Sequence, residues 1–305
     1  MSQELATSPP FSSLAVLGAK LYSSKRILLE TDTLVIFTCG AATGVTQSAR
    51  EQLLDYADRY FLHGTFFRAE DAFHVLLKSE TNDYLTIEHQ LADYADCVVI
   101  INESAGTLAE LGAFASNDGI VKKLLVVNPR EHKGRPSFIN LGPIAKTDRQ
   151  SLFKTTIYVD LPLASLSFDE ILIRIEANAV KRRRQGVDFS DPQAWGKAPG
   201  KLRLLLLQDV LNLFCPLSES ELLRVMKTCF PHEYVKLGVE LGLLVATHKA
   251  LEVGDLIVTT RACSRHNYAV DFHEWLRLRK KILDLYRSCD PSRLDHLHRR
   301  SAEVS

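Results

Sequence analysis

Residues Cys97–Gly112 read CVVIINESAGTLAELG. Val98, Val99, Ile100 and Ile101 make an unbroken β-branched run, the pattern of a strand buried on both faces. The polar turn Asn102-Glu103-Ser104-Ala105-Gly106 ends it, and from Thr107 the run continues as the helix-forming LAELGAFAS. Strand, glycine turn and helix in that order aim the helix's free N–H groups past the strand's carboxyl end. Open α/β sheets bind ligands there. Glu110 falls in the first turn of the expected helix and is the leading candidate for a reactive carboxylate. Thr107-Leu108-Ala109-Glu110 also fits a capping box, in which Glu110 would only bond back to the Thr107 N–H.

Similar units flank this one. Upstream, Asp32–Gly40 (DTLVIFTCG) reads as a buried strand that ends in a glycine, and the loop AATGV leads into a helix near Thr46–Phe61. That helix has Leu53, Leu54 and Ala57 on one face. Gly64–Phe67 is a second short strand, with helical segments near Asp71–Leu77 and Asn82–Tyr94 after it. Downstream, Lys123–Asn128 is a strand halted by Pro129, and Thr155–Asp160 a fifth. Strands alternating with helices predict an α/β domain with a flavodoxin/Rossmann-like parallel sheet. Short right-handed crossovers favour the strand order 2-1-3-4-5. Residues 1–12, polar and proline-containing, are expected to be poorly ordered.

After Leu161 the pattern changes. Phe168–Val180 is an amphipathic helix that ends in Lys181-Arg182-Arg183-Arg184. This run reads as a solvated helix C-terminus favoured by the dipole, or as a contact for nucleic acid or an acidic partner. Gln185–Gly200 reads as a linker. Helices at Leu202–Phe214, Ser218–Thr228 and His232–Leu241 precede two strand-like runs, Leu243–Thr247 and Asp255–Thr260. Three helices and a hairpin predict a winged helix, which would lay its third helix in a DNA groove. Lys236 on that helix and Lys249 at the wing tip are the candidate contacts, opposed by Glu233 and Glu240, so docking to protein is an equal alternative. A tail helix spans Asp271–Ser288. The expected divisions are an extension over 1–30, the α/β domain over 31–161, a connecting helix and linker over 162–200, and the winged helix with its C-terminal helix over 201–305.

Composition sets limits. Lys+Arg and Asp+Glu both number 37, so net charge gives no global argument for nucleic acid or membrane. Six scattered cysteines without a CxxC pair, and no long apolar run, predict a cytoplasmic chain with reduced thiols and no membrane contact. No HExxH, paired CxxC or Asp-rich loop argues for a metal. His296 and His298 beside Asp295 read as solvated. Gly40-Ala-Ala-Thr-Gly44 lacks both the GK[ST] of a P-loop and a full GxGxxG.

The segment ES-x-GT-x-x-ELGAF (Glu103–Phe114), followed by RPSFINLGP (Arg135–Pro143), resembles the effector proteins of bacterial retrons. These join a nucleoside deoxyribosyltransferase-like domain to a winged helix, and the resemblance covers nearly the whole chain. It implies chemistry at a ribosyl N-glycosidic bond. Glu110 would attack C1′ or shield the oxocarbenium-like centre, and Glu88, eight positions before Asp96, would sit near the base or sugar as acceptor or proton donor. The turns holding Gly40, Gly44, Ser104, Gly106 and Thr107 would bind phosphate or ribose through N–H groups. Glu70 and Asp71 would line the pocket, solvated surface acids being the equal alternative. Deoxyribosyltransferases carry an Asp six residues before the nucleophile; Ser104 stands there here, which tells against sugar exchange on free nucleosides. The family implies hydrolysis of NAD, as substrate rather than cofactor, in an antiviral toxin. It further implies as partner a reverse transcriptase carrying RNA-linked single-stranded DNA, with a homo-oligomer or filament as an open expectation. The alternatives are a nucleoside or nucleotide deoxyribosyltransferase or hydrolase, and a non-enzymatic nucleic-acid-binding regulator.

Overall fold

A computed structural model describes residues 8–23, 26–29, 33–41, 48–76, 83–179, 186–188, 191–231, 237–260 and 266–299. The chain divides into two units, Asp32–Phe73 with Glu80–Arg183, and Met1–Thr31 with His74–Ser79 and Arg184–Ser305. Among the described residues no helix is long and apolar enough to cross a membrane.

The first unit alternates strand and helix as β1 (Leu34–Cys39), α1 (Ala49–Tyr60), β2 (Gly64–Phe67), α2 (Ala69–Leu76), α3 (Tyr84–Tyr94), β3 (Cys97–Ile101), α4 (Ala105–Ser116), β4 (Leu124–Pro129), α5 (Ala145–Gln150), β5 (Ile157–Val159) and α6 (Ser165–Ala179). The five strands are parallel in the order β2-β1-β3-β4-β5, the 2-1-3-4-5 arrangement expected from short crossovers. Side chains alternate between the two faces of a strand. Leu34, Ile36, Cys97, Val99, Ile101, Leu125 and Val127 pack with Leu53 and Ala57 of α1 and Phe168, Ile171 and Ile175 of α6. The expected connecting helix thus belongs to the core of the sheet unit. Phe37, Cys39, Val98 and Ile100 lie on the opposite face. There Phe37 stacks on Phe67 and meets Phe114 of α4 edge-on, and Phe114 in turn meets His89 of α3.

Local chemistry fixes the helix starts. Ser48 Oγ accepts the Glu51 N–H, so α1 begins at Ala49. Asp83 accepts the Thr86 N–H and starts α3. Asp96, buried before β3, accepts the Val35 N–H at 3.0 Å and returns its own N–H to the Val35 carbonyl, so it secures β1.

The second unit begins with a helix, Pro9–Ser23, running into the stretch expected to be poorly ordered. Two prolines at a helix start lose no hydrogen bond there, which explains the difference. Arg26–Leu28 pairs antiparallel with Gly186–Asp188. Helices α7 (Gly200–Phe214), α8 (Glu219–Cys229) and α9 (Gly238–Ala246) precede an antiparallel hairpin of β6 (Ala250–Val253) and β7 (Leu256–Thr259), and α10 (Phe272–Cys289) and α11 (Ser292–Arg299) follow. Three expectations are corrected. Leu243–Thr247 is not a strand but largely the end of α9, because a short aliphatic run suits a buried helix as well as a strand. The hairpin tip is Gly254-Asp255, with Gly254 at φ +61°. Lys249 therefore stands at the base of the hairpin, its N–H on the Leu244 carbonyl, and not at the tip.

A buried ion pair ties the end of this unit to α8. Glu221 closes the Ser218 capping box and also takes both Nη atoms of Arg293 at 2.8 and 2.9 Å. Arg293 is 1% exposed, stacks over Tyr286 and bonds Asp290 and the Pro216 carbonyl. Replacing Arg293 with Met leaves a buried carboxylate unpaired. The expected loss is about 3–5 kcal/mol, seen as a lower urea midpoint for the transition of this unit.

Candidate active site

The carboxyl ends of β1 and β3 place the chemically notable residues. Helix α4 begins at Ala105, and Ser104 is its N-cap: Ser104 Oγ accepts the Thr107 N–H at 3.3 Å, and Thr107 Oγ1 accepts the Ser104 N–H at 3.2 Å. The capping box is Ser104/Thr107, one turn earlier than the Thr107/Glu110 alternative. Glu110 is therefore in the second turn of α4 and caps nothing. Ser104 and Thr107 spend their hydroxyls on each other, Thr107 fully buried and donating to the Ser104 carbonyl at 2.8 Å. Gly106 is exposed beside them.

Glu103 points the other way. Its carboxylate accepts the N–H groups of Ala41 (2.9 Å), Ala49 (2.7 Å) and Arg50 (3.2 Å). The Gly40 turn, expected to offer N–H groups to phosphate or ribose, and the α1 N-terminus thus present these three to an internal carboxylate. Gly40 is required by this closeness. A Cβ there would lie 2.9 Å from both Glu103 Oε1 and Arg50 Cδ, and nearer still to Arg50 Cβ.

Around Glu110 the sheet unit gathers Cys39, Arg50, Glu70 and Glu88. The Cys39 thiol lies beside Glu110, and Glu110 Oε2 is buried without a hydrogen-bond partner. Burial is the main reason the Glu110 carboxyl titrates above its ordinary range. The neighbouring Cys39 thiol opposes that rise, Glu70 adds to it, and Arg50 opposes it. Glu88 on α3 is pushed up to about 7, first by burial and then by the negative charges of Glu110 and Glu70. Burial also raises the Cys39 thiol, and Glu110 and Glu88 raise it further, so it stays protonated as a donor. Glu88 thus holds a proton near neutrality while Glu110 offers a lone-pair oxygen. This pairing serves either nucleophilic attack or proton donation.

The acidic pair at the start of α2 separates. Asp71 is held bidentately by Arg68 at 2.6 and 2.8 Å, and Arg68 also grips Glu51. Glu70 turns to Arg50 Nη1 at 2.9 Å and faces the cluster. Arg50 is 2% exposed, and its Nη2 has no hydrogen-bond partner. Sequence reasoning missed Arg50, although a cation near a helix N-terminus opposes the dipole and is itself a signal. It missed Cys39 as well, which reads as an ordinary apolar strand residue. Among the described residues no group of acids, cysteines and histidines could hold a metal ion. Gly44, Lys181, Arg182, Arg183, Arg184 and Lys236 lie outside the described residues.

A family model described as STM3845 retron effector protein matches residues 46–251, more than half of the chain. An Escherichia coli protein named "Retron Ec73 putative ribosyltransferase/DNA-binding protein" is 28% identical over 232 residues, 69% of this chain and 72% of the relative. Another, "Retron Ec86 putative ribosyltransferase/DNA-binding protein", also of Escherichia coli, is 35% identical over 112 residues, 36% of each chain.

The raised Glu88 group yields a stability test. Its folded pKa lies above the unfolded value, so its contribution is fully present below pH 4.5 and is lost as pH climbs through about 7. Glu88→Gln should therefore stabilise the sheet unit at pH 8 relative to wild type, by about 1–2 kcal/mol after allowance for solvent screening. At pH 4 the difference should vanish, with urea midpoints at the two pH values as the measurement.

Proposed function

The chain belongs to the STM3845 retron effector family, and from that premise we propose that it is the toxic arm of a retron defence system, cleaving the N-glycosidic bond of NAD to release nicotinamide and ADP-ribose. The observation that carries this is Glu110: a carboxylate freed from capping, with one buried oxygen lacking a partner, on the ligand-binding edge of a parallel sheet. An Oε of Glu110 attacks C1′ as the C1′–N bond breaks, and the bonding electrons neutralise the departing pyridinium nitrogen. Water then opens the glycosyl ester at C1′, giving ADP-ribose, a proton and free carboxylate. The neighbouring Cys39 thiol eases the burial of the Glu110 carboxylate, and Arg50 balances the charge of Glu70 beside it. Ribosyl transfer is the class of reaction in the relatives' names.

Glu88 favours a second reading, cleavage or exchange of a neutral nucleobase, which leaves only when protonated. A carboxyl still protonated near pH 7 suits that task. A pyridinium base departs neutral and needs no proton.

The second unit is proposed as a winged helix. In support, three helices precede a hairpin, and an isolated Leu217–Ile257 bridge supplies the third strand position. With Lys249, Lys236 and the basic run Lys181–Arg184 it would contact the reverse transcriptase and its RNA-linked single-stranded DNA. The names of the relatives include DNA binding.

The test measures base release by chromatography from the full chain, with and without its retron partners, on NAD and on deoxynucleosides. Glu110→Gln should stay folded and lose about 10³-fold or more in kcat. On NAD, Glu88→Gln should stay within about tenfold of wild type; on neutral nucleosides it should lose about 10²–10⁴-fold. Full activity of Glu110→Gln would refute a catalytic role, and base exchange would move the assignment to a transferase. A lack of release under every condition would leave the nucleic-acid-binding regulator.

A further inference from the structure

Just past β3 and β4, two asparagines stand side by side. Ile101 pairs with Val127 in the parallel ladder, and the Asn102 N–H continues it onto the Val127 carbonyl. Asn102 Nδ2 then donates to Asn128 Oδ1 at 3.1 Å. Both side chains are more than nine-tenths buried, at 6% and 2% exposure. Each keeps one polar atom without a hydrogen-bond partner, Asn102 Oδ1 and Asn128 Nδ2. Exchanging O and N on both amides gives the same complement, because a single mutual bond always leaves one acceptor and one donor.

Apolar residues at these places would cost the fold nothing, whereas a buried amide left half-bonded is unfavourable. Their position supplies a purpose. Alternation puts Asn102 and Asn128 on the sheet face that carries Cys39, the neighbour of Glu110. Cys39 is level with Ile100, so Asn102 lies two residues further toward the carboxyl edge on the adjacent strand. The pair is thus on the floor of the same edge as the proposed nucleophile.

We propose that Asn102 and Asn128 read the leaving base, accepting from its amino group through Asn102 Oδ1 and donating to its adjacent acceptor through Asn128 Nδ2. Resting on the N-glycosidase reading, the proposal narrows the substrate to bases with a donor beside an acceptor. The carboxamide of nicotinamide and the Watson–Crick edge of adenine share that chemistry.

The test compares kcat/KM of the full chain on two substrate pairs. One is NAD against its 3-acetylpyridine analogue, which replaces the amide NH2 with CH3. The other is 2′-deoxyadenosine against the same nucleoside without its 6-amino group. Wild type should prefer NAD over the analogue by about 10- to 100-fold. Asn102→Ala should erase that preference. Asn128→Asp, nearly isosteric, should lower both dinucleotides together and keep the preference. A preference within the adenosine pair alone, lost in Asn102→Ala, would support the reader and assign it to adenine. If wild type cleaves both members of each pair equally, the asparagines do not read the base, and the N-glycosidase assignment stands without them. Release of no base from any substrate would overturn both.

Discussion

Three backbone N–H groups, on Ala41, Ala49 and Arg50, converge on the carboxylate of Glu103. This one acceptor joins the end of β3 to the Gly40 turn and the start of α1, and much of the candidate site follows from it. It consumes donors that a helix N-terminus would otherwise offer to a phosphate. It draws the backbone so close that a side chain at Gly40 is excluded. It also neutralises some of the positive potential at the head of α1, where Arg50 would otherwise oppose the dipole. Because Ser48 and Glu103 satisfy the start of α1 and Ser104 that of α4, Glu110 is left with no capping task.

That freedom has a cost. Burying carboxyl groups near one another raises the free energy of their charged forms, and Glu88 responds by holding its proton to about pH 7. Arg50 offsets part of the repulsion, but it is paired with Glu70 and its Nη2 has no hydrogen-bond partner, so Glu110 has no ion-pair partner of its own there. A site under this tension is less stable than an apolar one of the same shape. Such destabilisation recurs where groups are held for reaction rather than for folding.

The sheet was legible because its signal is one of pattern. Runs such as Val98–Ile101 and Leu124–Val127 are buried on both faces, and only a parallel sheet between helix layers asks for that. Glu110 was legible from the strand–turn–helix order and Glu88 only through the resemblance, and the structure brings the two into one electrostatic cluster. What sequence could not supply were contacts made across long separations. Glu103 reaches back 62 residues to Ala41, and Asn102 meets Asn128 only through strand pairing. The place of the capping box stayed open in sequence for a local reason: Ser104-x-x-Thr107 and Thr107-x-x-Glu110 overlap, and the side-chain bonds choose the first. In the second unit, Leu243–Ala246 could satisfy a strand or a buried helix, and its partners decided for the helix.

The charge of the substrate links these features. Among the described residues, Glu70, Glu88 and Glu110 stand against the Arg50 guanidinium, already engaged with Glu70, so the cluster favours positive charge. In NAD that charge begins on the pyridinium nitrogen and, as the bond lengthens, passes toward C1′, where Glu110 is proposed to meet it. A neutral nucleoside begins without it and must borrow a proton from Glu88 to reach a comparable state. The same acids would therefore bind one substrate through its own cation and the other only by giving up a proton. On the proposed reading, the protonation of Glu88, more than the presence of Glu110, would separate the two reactions.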